Sequence, residues 1–337
     1  MRLATAAACV ILFTSLARAD DKPNTLTPKE IADGWLLLFD GETTFGWTID
    51  GEAAVKDGWL VVGGTKATTA TCNTAVPAET VMVEIKHPGD VPDDKQARLS
   101  FDPKSEGAPL KGKGGVGALR DGQLTRAKVT VPAGTTVQLR NFKISPAANT
   151  KLFDGKNLDG WKVNAADPKR MASKFEVTKD GELAVKNGPG DLVTEKEFAN
   201  FVLQFECKTL GDGLNSGFFF RCIPGQYQNG YEAQVQNSYL DNDRTKPKDF
   251  GTGAIYRRVA SRKVVSNDKE WFTMTVVADG KHIATWVNGY QTVDWTDDRK
   301  EDENPRKGYR AAKGPISIQG HDPTTDLLFR NIRGAAW

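Results

Sequence analysis

The chain has 337 residues, 45 of them Lys or Arg and 43 Asp or Glu, for a formal net charge of +2. Charge this balanced excludes the dense basic surface that a phosphate backbone demands, so nucleic acid is not an expected partner. The length suggests two domains, and four cysteines are too few for a disulfide scaffold.

Residues 1–19 read as a signal peptide. Arg2 supplies the positive start, Leu3 to Leu16 is apolar, and Ala17-Arg18-Ala19 fits the small-x-small cleavage rule. The apolar run is shorter than the ~20 residues needed to span a bilayer. Cys9 lies inside that run, not behind it, which argues against a lipoprotein anchor. The expected product is secreted or periplasmic, with no membrane insertion after cleavage. Losing Arg2 and Arg18 leaves 43 basic residues against 43 acidic ones. In the following segment, residues 20–35, Thr27-Pro28-Lys29-Glu30 has the form of a capping box with proline at the first helical position, which predicts one short helix.

Beyond it the chain resembles itself. Leu37-Leu38-Phe39-Asp40-Gly41 followed by Gly46-Trp47 returns as Lys151-Leu152-Phe153-Asp154-Gly155 followed by Gly160-Trp161. Leu139-Arg140-Asn141-Phe142 returns as Phe329-Arg330-Asn331-Ile332. Matching starts and ends in the same order predict a duplication: a shorter, degenerate copy over residues 36–146, a linker over 147–150 and a full copy over 151–337. Residues 112–117, with glycines at 112, 114, 115 and 117, lack dinucleotide spacing and read as a flexible loop.

Period-2 alternation dominates the second copy. Phe201, Leu203, Phe205 and Cys207 share one face of a strand. Phe272 to Val277, His282 to Val287 and Tyr290 to Val293, joined at Asp279-Gly280 and Asn288-Gly289, predict a three-strand meander. Many short strands with glycine-rich turns mean an all-β fold of two β-sandwich or jelly-roll domains. Cys207 and Cys222 fall on core faces of strands joined through residues 211–216; a hairpin there would bring them together, as a disulfide or as two buried thiols.

The same alternation gathers polar side chains. Arg221 lies opposite Phe218, Phe220 and Cys222; Glu232, Gln234 and Gln236 lie opposite Tyr231, Ala233 and Val235; Ser317, Gln319 and His321 lie opposite Ile316 and Ile318. These are either solvated outer faces or a sugar-recognition surface. Arg, Gln and His beside aromatics favour the second, and the first copy lacks these segments. His321, after a glycine at a strand end, is either a general base or a histidine satisfied by Asp322. Residues 297–310 form either a solvated loop or a lid.

These motifs, with the opening Leu152 to Trp161, Asn215-Ser216-Gly217, Tyr231-Glu232-x-Gln234, Gly251 to Tyr256, Trp286-x-Asn288-Gly289 and Gly314 to His321, resemble the bacterial 3-keto-disaccharide hydrolase domain family. The resemblance runs from about Thr150 to the C-terminus and touches the first copy only at its ends. It implies a concanavalin-like jelly roll, a carbohydrate substrate and cleavage of 3-keto-glycosides. It also implies His321 or Glu232 as base, Arg221 and Gln319 at the developing oxyanion, and Gln234, Asn215 and Tyr256 against the sugar. No cofactor is required, although a divalent cation in place of Arg221 would polarise a carbonyl equally well. Gln236 and Asn237 stand where relatives often carry aspartate. The competing expectations are a non-catalytic carbohydrate-binding protein, which would show aromatic platforms without a base, and a structural protein without a pocket.

Overall fold

The computed structural model describes residues 10–11 and 22–337, apart from Gly89, Asp90, Pro103 and Lys111. Except for Val10–Ile11, the expected signal peptide lies outside the described residues. No helix among them is long and apolar enough to cross a membrane. The chain divides into two compact units, Met1–Ala147 and Ala148–Trp337. The fold is all-β, each unit holding two antiparallel sheets. The predicted helix forms over Pro28–Asp33: Thr27 Oγ1 accepts from the Glu30 amide, and the Glu30 carboxylate accepts from the Thr27 amide.

The second unit contributes β1 (Thr150–Lys151), β2 (Trp161–Val163), β3 (Lys174–Val177), β4 (Leu183–Lys186), β5 (Gly190–Phe198), β6 (Phe201–Thr209) and β7 (Ser216–Phe220). It continues with β8 (Tyr231–Val235), β9 (Phe272–Asp279), β10 (His282–Val287), β11 (Tyr290–Thr296), β12 (Gly314–Gly320) and β13 (Asp326–Ala336). One sheet runs β3-β4-β13-β6-β9-β10-β11, with β1 beside β13; the other runs β2-β5-β12-β7-β8. Between them Phe201, Leu203, Phe205, Phe218, Phe220, Tyr231, Ile316, Ile318 and Phe329 fill the core. The Phe205 and Phe218 rings stack across it with centroids 4.0 Å apart. The predicted meander is β9-β10-β11, and its Asn288-Gly289 turn has positive φ at both residues (50° and 74°), as a tight hairpin requires.

Strand order is the same in the first unit. Its larger sheet includes, in order, Ala53–Lys56, Trp59–Gly64, Thr135–Pro146, Val76–Lys86 and Lys113–Thr125, matching β3-β4-β13-β6-β9 in chain order and pairing, with Val10–Ile11 beyond Lys113–Thr125. Its smaller sheet runs Trp47–Asp50, Thr68–Cys72, Lys128–Val131, Arg98–Ser100, Ala108–Pro109, matching β2-β5-β12-β7-β8. Local chemistry repeats as well. The Trp47 indole donates to Leu38 O at 2.5 Å, and the Trp161 indole to Leu152 O at 2.6 Å. Glu84 accepts from Arg140 and Asn141, and Glu206 from Arg330 and Asn331. Both asparagines have left-handed backbones, φ 49° and 52°.

Two expectations need correction. The glycine-rich stretch after Gly112 belongs to the strand Lys113–Thr125, because its backbone pairs along the full length of Val76–Lys86. Cys207 and Cys222 are not on paired strands either. The turn between β6 and β7 crosses from one sheet to the other, so Cys207 lies in the larger sheet and Cys222 just beyond β7 of the smaller one. Both are free and buried, and Cys72 is buried as well. Burial raises the Cys207 and Cys222 thiols well above the usual range, which suppresses the reactive thiolate. A water-soluble thiol reagent should leave all three untouched in the folded protein and label all three after unfolding without reductant. Fewer labelled thiols in the unreduced, unfolded chain would reveal a bridge.

Candidate active site

The face of β12-β7-β8 turned away from the core forms the floor of a cavity of about 410 Å³. Alternation explains why. Tyr231, Ala233 and Val235 point into the core, so Glu232 and Gln234 must point out; Phe219 and Gln319 do the same on β7 and β12. Asn215, Tyr256 and His321 complete the set the sequence singled out. Six of the seven predicted site residues therefore share one cavity. The walls add residues that the sequence reading missed: Gln228, Arg257, Arg258 and Arg306. The segment containing residues 297–310 lines the cavity through Pro305 and Arg306 and is thus a wall, not a solvated loop. Its position is fixed by Asp297, which is fully buried and accepts from the Tyr231 hydroxyl at 2.8 Å and bidentately from Arg299. Burial works to raise the Asp297 carboxyl, but the hydrogen bonds from Arg299 and Tyr231 outweigh it and hold the group below its ordinary value.

Arg221 is the exception and must be removed from the site. The strand ends at Phe220, and at Arg221 the backbone turns left-handed, φ 48°, so the alternation that predicted its direction no longer applies. Its side chain is fully buried, with Nε donating to Ala199 O and Nη1 to Gly280 O and Arg310 O, and it does not line the cavity. It ties three loops together. Arg221→Met should cost ~3 kcal/mol or more, because a buried donor set and three carbonyls lose their partners at once. The check is chemical denaturation, with turnover per folded molecule largely preserved.

Glu232 is 8 % exposed, and no described residue donates a hydrogen bond to its carboxyl group. Burial pushes its pKa up to about 8; Arg306 and Arg257 oppose the rise and the charge of Asp249 adds to it. Room for the carboxyl comes from Gly217 on β7, where a Cβ would overlap it. At neutral pH Glu232 is thus a protonated acid at the cavity floor. His321, at the end of β12, contacts Asp322 Oδ2 through Nδ1 at 2.6 Å. Burial works to raise Asp322, but hydrogen bonds from Thr324 and His321 outweigh it and hold the carboxyl below its ordinary value, as an anion. In the neutral tautomer that donates Nδ1–H to that anion, Nε2 carries the lone pair. The Asp322 contact that the sequence allowed for is thus present, and His321 also lines the cavity.

The amides are equally ordered. Gln234 donates to Asp249 O and Oδ2, and Asn215 donates to Asp249 Oδ2 at 2.8 Å. Asn215 Oδ1 and Gln319 Oε1 are buried without a partner, leaving two acceptors for ligand hydroxyls. Arg257 has a left-handed backbone, φ 58°, and stands over the Tyr256 ring at 5.2 Å. Gln236 and Asn237 are structural. Asn237 Oδ1 accepts from Thr252 and Ser266, and Nδ2 donates to Asp268. Among the described residues no three His, Cys, Asp or Glu side chains cluster as a metal site.

A β-sandwich that lays an acid, a histidine–aspartate pair and ordered amides against one sheet face is built to handle a polyhydroxylated ligand. Residues 148–333 match the family described as the 3-keto-alpha-glucoside-1,2-lyase-like domain. That is more than half of the chain, which therefore belongs to this family and is a carbohydrate-active protein. Two structures from Parabacteroides distasonis ATCC 8503, both described as candidate glycosyl hydrolases, are similar at 22 % and 26 % identity. They align over 56 % and 54 % of this chain and 93 % and 96 % of their own, with TM-scores of 0.45 and 0.42. A carbohydrate-binding module from Bacillus subtilis aligns over 52 % of this chain and 96 % of its own at 14 % identity and TM-score 0.38. No protein of curated function matches significantly.

The raised pKa has a consequence for stability. Folding lifts Glu232 from an ordinary 4.5 to about 8, so the folded state holds the proton more tightly than the unfolded chain. This contribution is complete below the lower value and disappears as pH rises through the upper one. Denaturation at pH 5, 7 and 9 should show stability falling across this window, and Glu232→Gln should flatten the fall.

Proposed function

We propose that the second unit cleaves 3-keto-glycosides by β-elimination, with hydration of the product completing a net hydrolysis. The observation that carries this is the pairing, in one cavity, of a carboxyl group whose pKa burial raises to about 8 with a histidine hydrogen-bonded through Nδ1 to a carboxylate. A ketone at C3 acidifies the C2 proton. His321 Nε2 takes that proton, and the C2–H electrons pass into the C2–C3 bond as the C3 oxygen becomes an enolate. The enolate collapses: C3=O re-forms, C1=C2 forms, the C1–O bond breaks, and Glu232 protonates the departing oxygen. Water then adds across C1=C2. Gln319 keeps the part expected of it as a donor to the enolate oxygen, and Arg306 takes the part expected of Arg221. A bound divalent cation would polarise the same oxygen.

This division of labour differs from that of ordinary glycosidases, which need two carboxyl groups flanking the anomeric carbon. It supports catalysis over binding alone, because a lectin site has no use for an acid kept protonated against its solution preference. The shared strand order and the repeated indole and Glu–Arg–Asn hydrogen bonds support reading the first unit as a degenerate duplicate. In it the counterpart of β8 shrinks to Ala108–Pro109. The signal-peptide pattern supports action outside the cytoplasm.

General acid catalysis predicts a leaving-group signature. Glu232→Gln should slow release of an alkyl aglycone from a 3-keto-glucoside by ~10²–10⁴, and release of nitrophenol, which needs no proton, far less. In the wild type, alkyl release should decline above about pH 8 as Glu232 ionises. Equal slowing of both substrates would reassign Glu232 as the base, and His321→Ala, measured in parallel, should slow both alike.

A further inference from the structure

The cavity wall carries more cationic charge than the proposed chemistry uses. Arg257, Arg258 and Arg306 all line it, against a single carboxyl, Glu232, which is protonated at neutral pH. Among the described residues none of the three guanidinium groups forms an ion pair. They are not equivalent. Arg258 is a strut, donating to Arg257 O at 3.0 Å and Arg306 O at 2.6 Å. Arg306 is anchored by one nitrogen to Gln228 O at 2.7 Å. Arg257 makes no hydrogen bond to a described residue; it is exposed, and Tyr256 supports it from one side. The left-handed backbone at Arg257 is unfavourable for a residue with a Cβ, yet the fold keeps it there.

Neutral sugars are held by amides, carboxylates and aromatic faces. A guanidinium with open donors at the rim of such a cavity is matched to a planar or tetrahedral oxoanion. We infer that the glycoside taken by this cavity carries an oxoanionic substituent, a carboxylate or sulfate, held by Arg257. The inference rests on the cavity being a glycoside site, as proposed above, but not on the cleavage chemistry. Charge repulsion acts in the same direction. Glu232, when protonated, does not oppose an incoming anion, and the positive wall attracts it from solution.

Binding calorimetry on the intact protein with glycosides that carry no ketone provides the test. Nitrophenyl glucoside is the neutral reference; nitrophenyl glucuronide, its 6-sulfated glucoside counterpart and carboxyphenyl glucoside separate a sugar carboxylate, a sugar sulfate and an aglycone carboxylate. At least one charged ligand should bind on the order of tenfold more tightly than the reference at low salt. The advantage should shrink towards 1 M salt, where the screening length falls to ~3 Å. Arg257→Gln should remove it and Arg257→Lys should restore part of it. Equal affinity for all four ligands, an advantage insensitive to salt, or no binding of any charged ligand at about 10 mM overturns the inference. Anion preference without turnover of 3-keto-glycosides would defeat the cleavage reading alone. Turnover without anion preference would defeat this one alone.

Discussion

Three strands of the smaller sheet of the second unit, β7, β8 and β12, are out of water on both faces but apolar on only one, and the site follows from that constraint. Every residue of β7, β8 and β12 is buried. On one face this costs nothing, since Phe218, Phe220, Ala233 and Ile318 join the core. On the other, Glu232, Gln234 and Gln319 are withdrawn from bulk water with their polarity intact. A buried polar atom must find a partner or remain an expensive exception. Gln234 finds Asp249, whereas Glu232 takes up a proton and Gln319 keeps an unpaired oxygen. What the cavity floor offers a ligand is the polarity that the hydrogen bonds of that face leave over.

The satisfied groups make the walls rigid enough for this to persist. Arg221 holds three backbone carbonyls, Asn237 bridges Thr252, Ser266 and Asp268, and Asp297 fastens the wall to Tyr231 through Arg299. Apart from the local Arg299–Asp297 pair these are links between residues distant in sequence, and they tie together loops that alternation alone would leave free. Catalytic groups held within a fraction of an ångström need such support behind them. None of these three residues touches the cavity, which explains how charged side chains can be prominent in the motifs and absent from the chemistry.

What the sequence disclosed divides along the same line. Wherever the chain stays in a strand, period-2 reasoning placed side chains correctly: Glu232, Gln234, Gln319 and the core phenylalanines all fall on the faces their numbering implied. Past the strand ends it is no longer a dependable guide, although His321, one residue beyond β12, still lines the cavity. Arg221 lies one residue beyond β7, in a left-handed conformation that no periodicity encodes. Cys207 and Cys222 flank a turn that reads as a hairpin but crosses between sheets, since a six-residue connection is compatible with either. Arg257, Arg258 and Arg306 come from irregular loops, where sequence carries no directional signal; the doublet after Tyr256 was visible, but its exposure to the cavity was not.

The first unit separates the frame of the fold from the elements that build the cavity. It keeps the strand order of both sheets, the indole-to-carbonyl bond and the Glu–Arg–Asn cluster, so these belong to the frame and are sufficient for a packed sandwich. Among the described residues it has no counterpart of the β10-β11 hairpin, and its equivalent of β8 is two residues long and exposed. A polar strand has little reason to persist where nothing covers it. In the second unit the loops of residues 255–258 and 305–306 roof β8, and only under that roof is a carboxyl group dehydrated enough to hold its proton at neutral pH. Frame and roof are therefore separable: the frame determines that Glu232 points outward from the core, and the roof determines that it is an acid when it does.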